Sequence, residues 1–214
     1  MMSHFANADE VDASFDQIQI KQFDLWVQVV RDAWFEPEYI HHNNSAWLVR
    51  HQDAWFTASR VWLSLLWYNP FEESNILSEK YSYLKPALSV RSTITSIQHL
   101  NASESVSYWH RWTTEKKTTI ASIPFGYNEW LRRSLRWKRQ VRRNDQYFPV
   151  VGTICMNLCC IDIQDADVKL WDRVEVISNK KPSSNSVSRF TELDKTIVYE
   201  VLVNLDGLVK RVIV

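Results

Sequence analysis

Glycine is nearly missing, with 3 residues in a chain of 214. At its usual share of about 7%, roughly 15 would be expected. Glycine takes a positive φ at no steric cost, so a chain with many turns must place other residues where it is lacking. Cysteine is scarce too. Cys155, Cys159 and Cys160 crowd one short stretch, and an odd number so placed is no disulfide framework. No Cys or His pair lies at ligand spacing, so no metal site is expected. Reduced core thiols in a cytoplasmic protein are the expectation. Net charge is absent, with 25 basic and 25 acidic residues. That removes the electrostatic argument for a nucleic acid or an anionic membrane as partner. No apolar run approaches the roughly 20 residues that span a bilayer. The opening residues, MMSHFANADE, carry neither the basic nor the apolar region of a signal peptide.

What is there reads as a globular chain, 45% hydrophobic and 23% charged, long enough to bury a core. Ser14-Phe15-Asp16-Gln17 fits a capping box, and Phe23, Trp26 and Val30, with Leu25 and Val29, recur at helical spacing. A helix over about 16–33 follows. Glu38 to His41 reads as a short strand, Asn44-Ser45 as the cap of a short helix to about His51, and Val61 to Leu66 as a buried parallel strand. Residues 1–68 thus show the βα pattern of a barrel or doubly wound sheet. The polar stretch 69–85 marks a boundary, giving an α/β part over 1–84 and an all-β part over 85–214. In the second part Ser89 to Ile97, Thr118 to Pro124, Pro149 to Ile163, Arg173 to Ile177, Ile197 to Leu205 and Leu208 to Val214 are β-rich runs. A short helix is expected over Ser186 to Leu193.

Six strings go further: SHFANADE at 3–10, IHHNNSAWL at 40–48, SVSYW at 105–109, IPFGYNEWLRRS at 123–134, PVVGTICMN at 149–157 and TIVYE at 196–200. In this order and at these spacings they resemble the pyridoxal-phosphate-dependent alanine racemases, over nearly the whole chain. The resemblance implies the last part of a (β/α)8 barrel, roughly its final three strands, followed by a β-barrel-like C-terminal domain. It implies interconversion of L- and D-alanine, D-alanine supply for peptidoglycan, and pyridoxal phosphate as cofactor. Barrel enzymes bind their ligands at the C-terminal ends of the strands.

The match also implies roles. His4 falls where the family packs a histidine against the cofactor ring. His41, Asn44 and Ser45 match its histidine-asparagine-serine segment, whose serine binds the cofactor phosphate; an ordinary helix cap is compatible with that. Arg60 matches the arginine facing the pyridine nitrogen, and Trp62 and Leu63 the backbone beside the phosphate. A guanidinium does not readily give up a proton, so the ring nitrogen stays largely unprotonated. Tyr199 matches a phosphate-binding tyrosine. Tyr127 and Met156 match residues lining the substrate entry and pocket. Tyr108 matches the catalytic tyrosine, one of two bases needed on opposite faces of the α-carbon. The family draws that tyrosine from the partner subunit, so a homodimer acting on a small amino acid is implied.

Three departures stand out. No lysine here matches the family's Schiff-base lysine, and no arginine matches the one holding the substrate carboxylate. The resemblance therefore implies a fragment that does not racemise alanine alone, whether a truncated gene or a piece completed by a separately encoded N-terminal half. Alternatives are a non-catalytic dimerisation or binding module, or a racemase of another amino acid. Second, Asn157 stands where the family usually has aspartate. Third, Trp34, Trp47, Trp62, Trp67, Trp109, Trp130 and Trp171 fall where the family has or accepts glycine. There are 11 tryptophans. An exchange concentrated on one residue type is what a UGA codon meaning glycine, read as tryptophan, would leave.

Overall fold

The computed structural model describes residues 1–51, 56–72, 75–180, 183–207 and 209–213. The chain divides into two compact units, Met1–Ala87 and Leu88–Val214.

The first unit is built on three extended segments lying side by side. Met2 bridges His41 in parallel. The Ser3 N–H donates to the His41 carbonyl at 3.1 Å, and the His41 N–H to the Met1 carbonyl at 3.2 Å. Residues 57–60 flank the other side: the Ala58 N–H donates to the Ile40 carbonyl at 3.3 Å and the Arg60 N–H to the Asn43 carbonyl at 2.9 Å. Helix α1 (Ser14–Asp32) buries Asp16, Ile20, Phe23 and Val27, a stripe at i, i+4, i+7 and i+11 that follows the helical period. Phe5, Ala8, Ile20, Ala46, Trp47, Phe71 and Tyr81 form one core cluster, and Phe23, Val27 and Ile40 another. Helices α2 (Ser45–Arg50) and α3 (Ile76–Lys80) complete the unit.

Here the sequence reading needs three corrections. The helix is real, but of its expected apolar face only Phe23 is buried; Leu25, Trp26 and Val29 are exposed. The capping box is not formed. Ala13 is the N-cap, and the Ser14 N–H instead donates to Asp12 Oδ1 at 2.8 Å. Val61 to Leu66 is not a strand: the extended segment is 57–60, and the chain then turns into a 3-10 helix at Ser64–Leu66. A serine hydroxyl that gathers the N–H groups of residues 62–64 causes that turn, as described below.

The second unit is a curled antiparallel sheet. Its strands are β1 (Val90–Thr93), β2 (Ser96–Leu100), β3 (Ser105–Val106), β4 (Trp112–Thr113), β5 (Thr118–Ile123), β6 (Gln140–Arg143), β7 (Gln146–Val151), β8 (Cys159–Asp162) and β9 (Arg173–Ile177). Seven pair in the order β1-β9-β6-β7-β8-β5-β2, and β3 pairs with β4 as a separate hairpin. The two ends of that order are consecutive in the chain. Between them the Ile94 N–H donates to the Asp172 carbonyl beside β9, and the Thr95 N–H to the Ser122 carbonyl of β5, each at 2.9 Å. Residues 90–100 therefore close the sheet on itself, which removes exposed edges. Ile94, Ile120, Ile123, Val141, Val150, Ile161, Val174 and Val176 are buried.

This unit is not all-β. Helix α4 (Val187–Asp194), capped by Ser186, answers the short helix expected over Ser186 to Leu193, but within the expected β run Ile197 to Leu205 the residues Val198–Val203 are helix α5. Val-Tyr-Glu-Val-Leu-Val reads as β by propensity, and tertiary contacts override that weak preference. Arg132 pairs with Asp194 at 3.1 Å and also with Glu200, tying the two helices together, and Val201 is fully buried. Among the described residues 209–213 no strand forms; residues 208 and 214 of that expected run lie outside the described residues.

Candidate functional site

The C-terminal ends of the three parallel segments carry polar residues in sequence: His4, then Asn44 and Ser45, then Arg60. Asn44 caps α2, its Oδ1 accepting the Trp47 N–H at 2.9 Å. That fixes Ser45 as the first helical residue, with 1% of its surface exposed. Ser45 Oγ accepts hydrogen bonds from the N–H groups of Trp62 at 3.0 Å, Leu63 at 3.0 Å and Ser64 at 3.4 Å. Three consecutive backbone donors aimed at one oxygen form a nest of the kind that binds oxyanions. The neighbouring segment is held in place by Asn43, whose Nδ2 donates to Ser59 Oγ at 3.2 Å.

Arg60 Nη2 lies 2.6 Å from His4 Nδ1 and 3.1 Å from Nε2. Burial, the Arg60 charge and His41 all lower the His4 pKa. A neutral imidazole can accept from the guanidinium, so the pair suits a site where the histidine stays uncharged. His41 contributes its backbone to the strand pairing, and its ring Nδ1 is buried without a partner. His42, stacked on Phe5 at 3.8 Å, has its pKa lowered to about 4 by burial and by His4.

In the second unit Tyr108 stands at the tip of the β3–β4 hairpin, 63% exposed. Its carbonyl accepts from Thr153 Oγ1 at 3.1 Å, and the preceding Ser107 Oγ donates to the Thr153 carbonyl at 2.6 Å. Gly152 permits that close approach. Its φ is +68°, and a Cβ there would meet Ser107 Cβ at 2.9 Å. Gly126 plays a similar part, because a Cβ would fall 2.3 Å from the Cys155 and Met156 carbonyl oxygens. The Tyr127 N–H donates to the Cys155 carbonyl at 3.0 Å and the Asn128 N–H to the Met156 carbonyl at 2.9 Å. Tyr108, Tyr127 and Met156 are thereby gathered around the 152–157 turn, all exposed.

Glu129 ties this turn together, accepting from the Gly126 N–H at 2.7 Å and from Asn157 Nδ2 at 2.9 Å. Asn157 is a donor here, where an aspartate would repel Glu129. Tyr199 lies on α5 in the second unit. Sequence reasoning missed Thr153, Ser107, Glu129 and the third nest donor at Ser64. Ser107, Thr153 and Glu129 sat inside the strings SVSYW, PVVGTICMN and IPFGYNEWLRRS without being singled out, and only Ser64 lay outside them.

Among the described residues no group of three or more His, Cys, Asp or Glu could hold a metal ion, and no helix is long and apolar enough to cross a membrane.

Two family models match the chain: alanine racemase, N-terminal domain, over residues 1–70, and alanine racemase, C-terminal domain, over residues 87–213. The alanine racemase of Treponema denticola is 31% identical over 219 residues, covering 99% of this chain and 56% of that relative. Among solved structures, the alanine racemase of Clostridium difficile in complex with cycloserine is 28% identical with a TM-score of 0.85, covering 96% of this chain and 53% of that one. That of Bacillus anthracis with bound L-Ala-P is 25% identical with a TM-score of 0.84, covering 96% and 52%. The chain spans about half the length of the relatives it matches.

Proposed function

The chain belongs to the alanine racemase family, and we propose that its residues serve the interconversion of L- and D-alanine with pyridoxal phosphate. The carrying observation is the nest at Ser45. Three N–H groups converge on one hydroxyl, and such donors fit a phosphate dianion. Ser45 and the N–H groups of Trp62 and Leu63 would hold the phosphate, joined in this reading by Asn44, His41 and Tyr199. The cofactor, when bound, supplies an electron sink that acidifies the α-proton of the amino acid.

The chain's own residues do the rest. Arg60 faces the pyridine nitrogen with a group that gives up no proton, which moderates that sink and favours racemisation over side reactions. His4, kept neutral, packs on the ring. Tyr108 Oη takes or returns a proton on one face of the α-carbon, and Tyr127 and Met156 line the way in. The second base is assigned to no residue of this chain.

A homodimer fits the placement of Tyr108. A base 63% exposed at a hairpin tip can be presented to a second copy. A cytoplasmic setting fits the free thiols, two of which, Cys159 and Cys160, are held protonated by burial.

Ser45→Ala tests the nest. It removes the hydroxyl from the phosphate but leaves Tyr108 in place. Hydrogen bonds to charged groups contribute about 1.5–3 kcal/mol, so cofactor affinity is expected to fall roughly tenfold to a hundredfold. A titration of pyridoxal phosphate followed by absorbance reads this directly, and unchanged affinity would remove Ser45 from the site.

A further inference from the structure

Six of the ten tryptophans among the described residues have a positive φ: Trp34 at 65°, Trp67 at 60°, Trp109 at 63°, Trp130 at 102°, Trp137 at 62° and Trp171 at 73°. The eleventh, Trp55, lies outside the described residues. They make up half of the twelve non-glycine residues with positive φ. Tryptophan is about one residue in twenty of the chain, so chance would put fewer than one there. A bulky side chain in this region clashes with its own backbone, and only a few per cent of non-glycine residues occupy it, mostly Asn and Asp.

The local geometry is that of glycine. After α1 the Trp34 N–H donates to the Arg31 carbonyl at 2.9 Å and the Phe35 N–H to the Val30 carbonyl at 3.3 Å. That is a complete Schellman motif with Trp34 in the left-handed position where glycine is the usual residue. The same two bonds recur at Trp67, from its N–H to the Ser64 carbonyl at 3.0 Å and from the Tyr68 N–H to the Leu63 carbonyl at 3.2 Å. Trp130 and Trp171 sit in turns, and Trp109 lies inside the tight turn behind Tyr108.

Five of the six indoles are not buried by packing. Trp34 is 98% exposed, and Trp67, Trp109, Trp137 and Trp171 are also exposed. Trp130 is buried, but its indole nitrogen has no partner. It stacks 5.1 Å from the Arg139 guanidinium, whose three nitrogens are likewise buried without partners.

We propose that Trp34, Trp67, Trp109, Trp130, Trp137 and Trp171 are glycine in the protein as its own cell makes it, because that cell decodes UGA as glycine. Tryptophan then stands at these positions only where UGA is read as tryptophan. Trp26, Trp47, Trp62 and Trp112, whose backbone makes no such demand, carry no assignment; Trp47 packs on Phe5 at 4.1 Å as a core indole does. The inference is independent of the catalytic reading.

Peptide mass spectrometry of the protein isolated from its own cells decides it. Each of the six positions is expected to show the mass of glycine, and the gene to carry UGA there. Tryptophan masses, or UGG codons at these six positions, overturn the proposal. A second measurement compares the recombinant chain as written with one bearing glycine at all six. The glycine version is expected to unfold at a higher temperature, and an equal or lower midpoint removes the structural ground.

Discussion

A single buried histidine shows how little room the first unit leaves for charge. His42 is 1% exposed, and both its ring nitrogens are buried without partners. Its pKa of about 4 in the folded chain lies below the 6.5 of a free histidine. Above pH 6.5 both states are neutral and His42 adds no pH dependence. As pH falls from 6.5 toward 4 the unfolded chain takes up a proton that the folded chain refuses, so stability falls. Over that window the loss from this residue approaches about 3 kcal/mol. Asp16, whose carboxyl is pushed up by burial, acts in the opposite sense, so the parent must be compared with His42→Gln rather than viewed alone. Denaturant unfolding from pH 7 to pH 4 should show a shallower acid-side loss in H42Q, and equal slopes would refute the assignment. His42 lay inside IHHNNSAWL, but nothing in that string separated the buried histidine from its neighbour His41.

Elements were legible where local signals agreed with tertiary context. Helix α1 was readable from helical spacing, α2 from its Asn44 cap, β5 and β9 from β-rich runs, and α4 as a short helix from Ser186. Val61 to Leu66 and Val198 to Val203 were not. Both are rich in apolar residues, and both were redirected by a contact from elsewhere in the chain: the Ser45 hydroxyl in one case, Arg132 pairing with Glu200 in the other. The β3–β4 hairpin was invisible as an element, because two-residue strands have no period. Its position depends on Gly152. Gly152→Ala should therefore cost about 1–2 kcal/mol from the positive φ alone, and more from the approach to Ser107. It should displace the Tyr108 backbone held by Thr153, lowering proton exchange in a chain completed by a second base, while cofactor affinity, carried in the proposal mainly by the Ser45 nest, stays the same. Thermal unfolding together with pyridoxal phosphate titration separates these effects, and a parallel loss of cofactor affinity would argue against that division of labour.

At the scale of the whole molecule, each unit carries its own group of candidate residues. The first offers an oxyanion nest and the Arg60–His4 pair, and the second an exposed tyrosine at the tip of the β3–β4 hairpin. The six strings identified the family and most of these residues, because they held the polar groups at strand ends. What they could not convey was support. Thr153, Glu129 and the N–H of Ser64 act through backbone geometry that appears only once the chain is folded. The tryptophan excess was legible as an anomaly of composition, but its cause needed dihedral angles. Trp62, suspected from the sequence, is not among the positive-φ residues, whereas Trp137 is.

The central claim is that Tyr108 is one of two bases acting on opposite faces of alanine. In deuterated water, with pyridoxal phosphate and with a separately encoded N-terminal half supplying the second base, the Tyr108→Phe chain should lose α-proton exchange for one enantiomer of alanine by about 10²- to 10⁴-fold. Exchange of the other enantiomer should continue. Parent-like exchange of both enantiomers would contradict the assignment of Tyr108, and no exchange of either by the unsubstituted chain so completed would contradict the proposed activity itself.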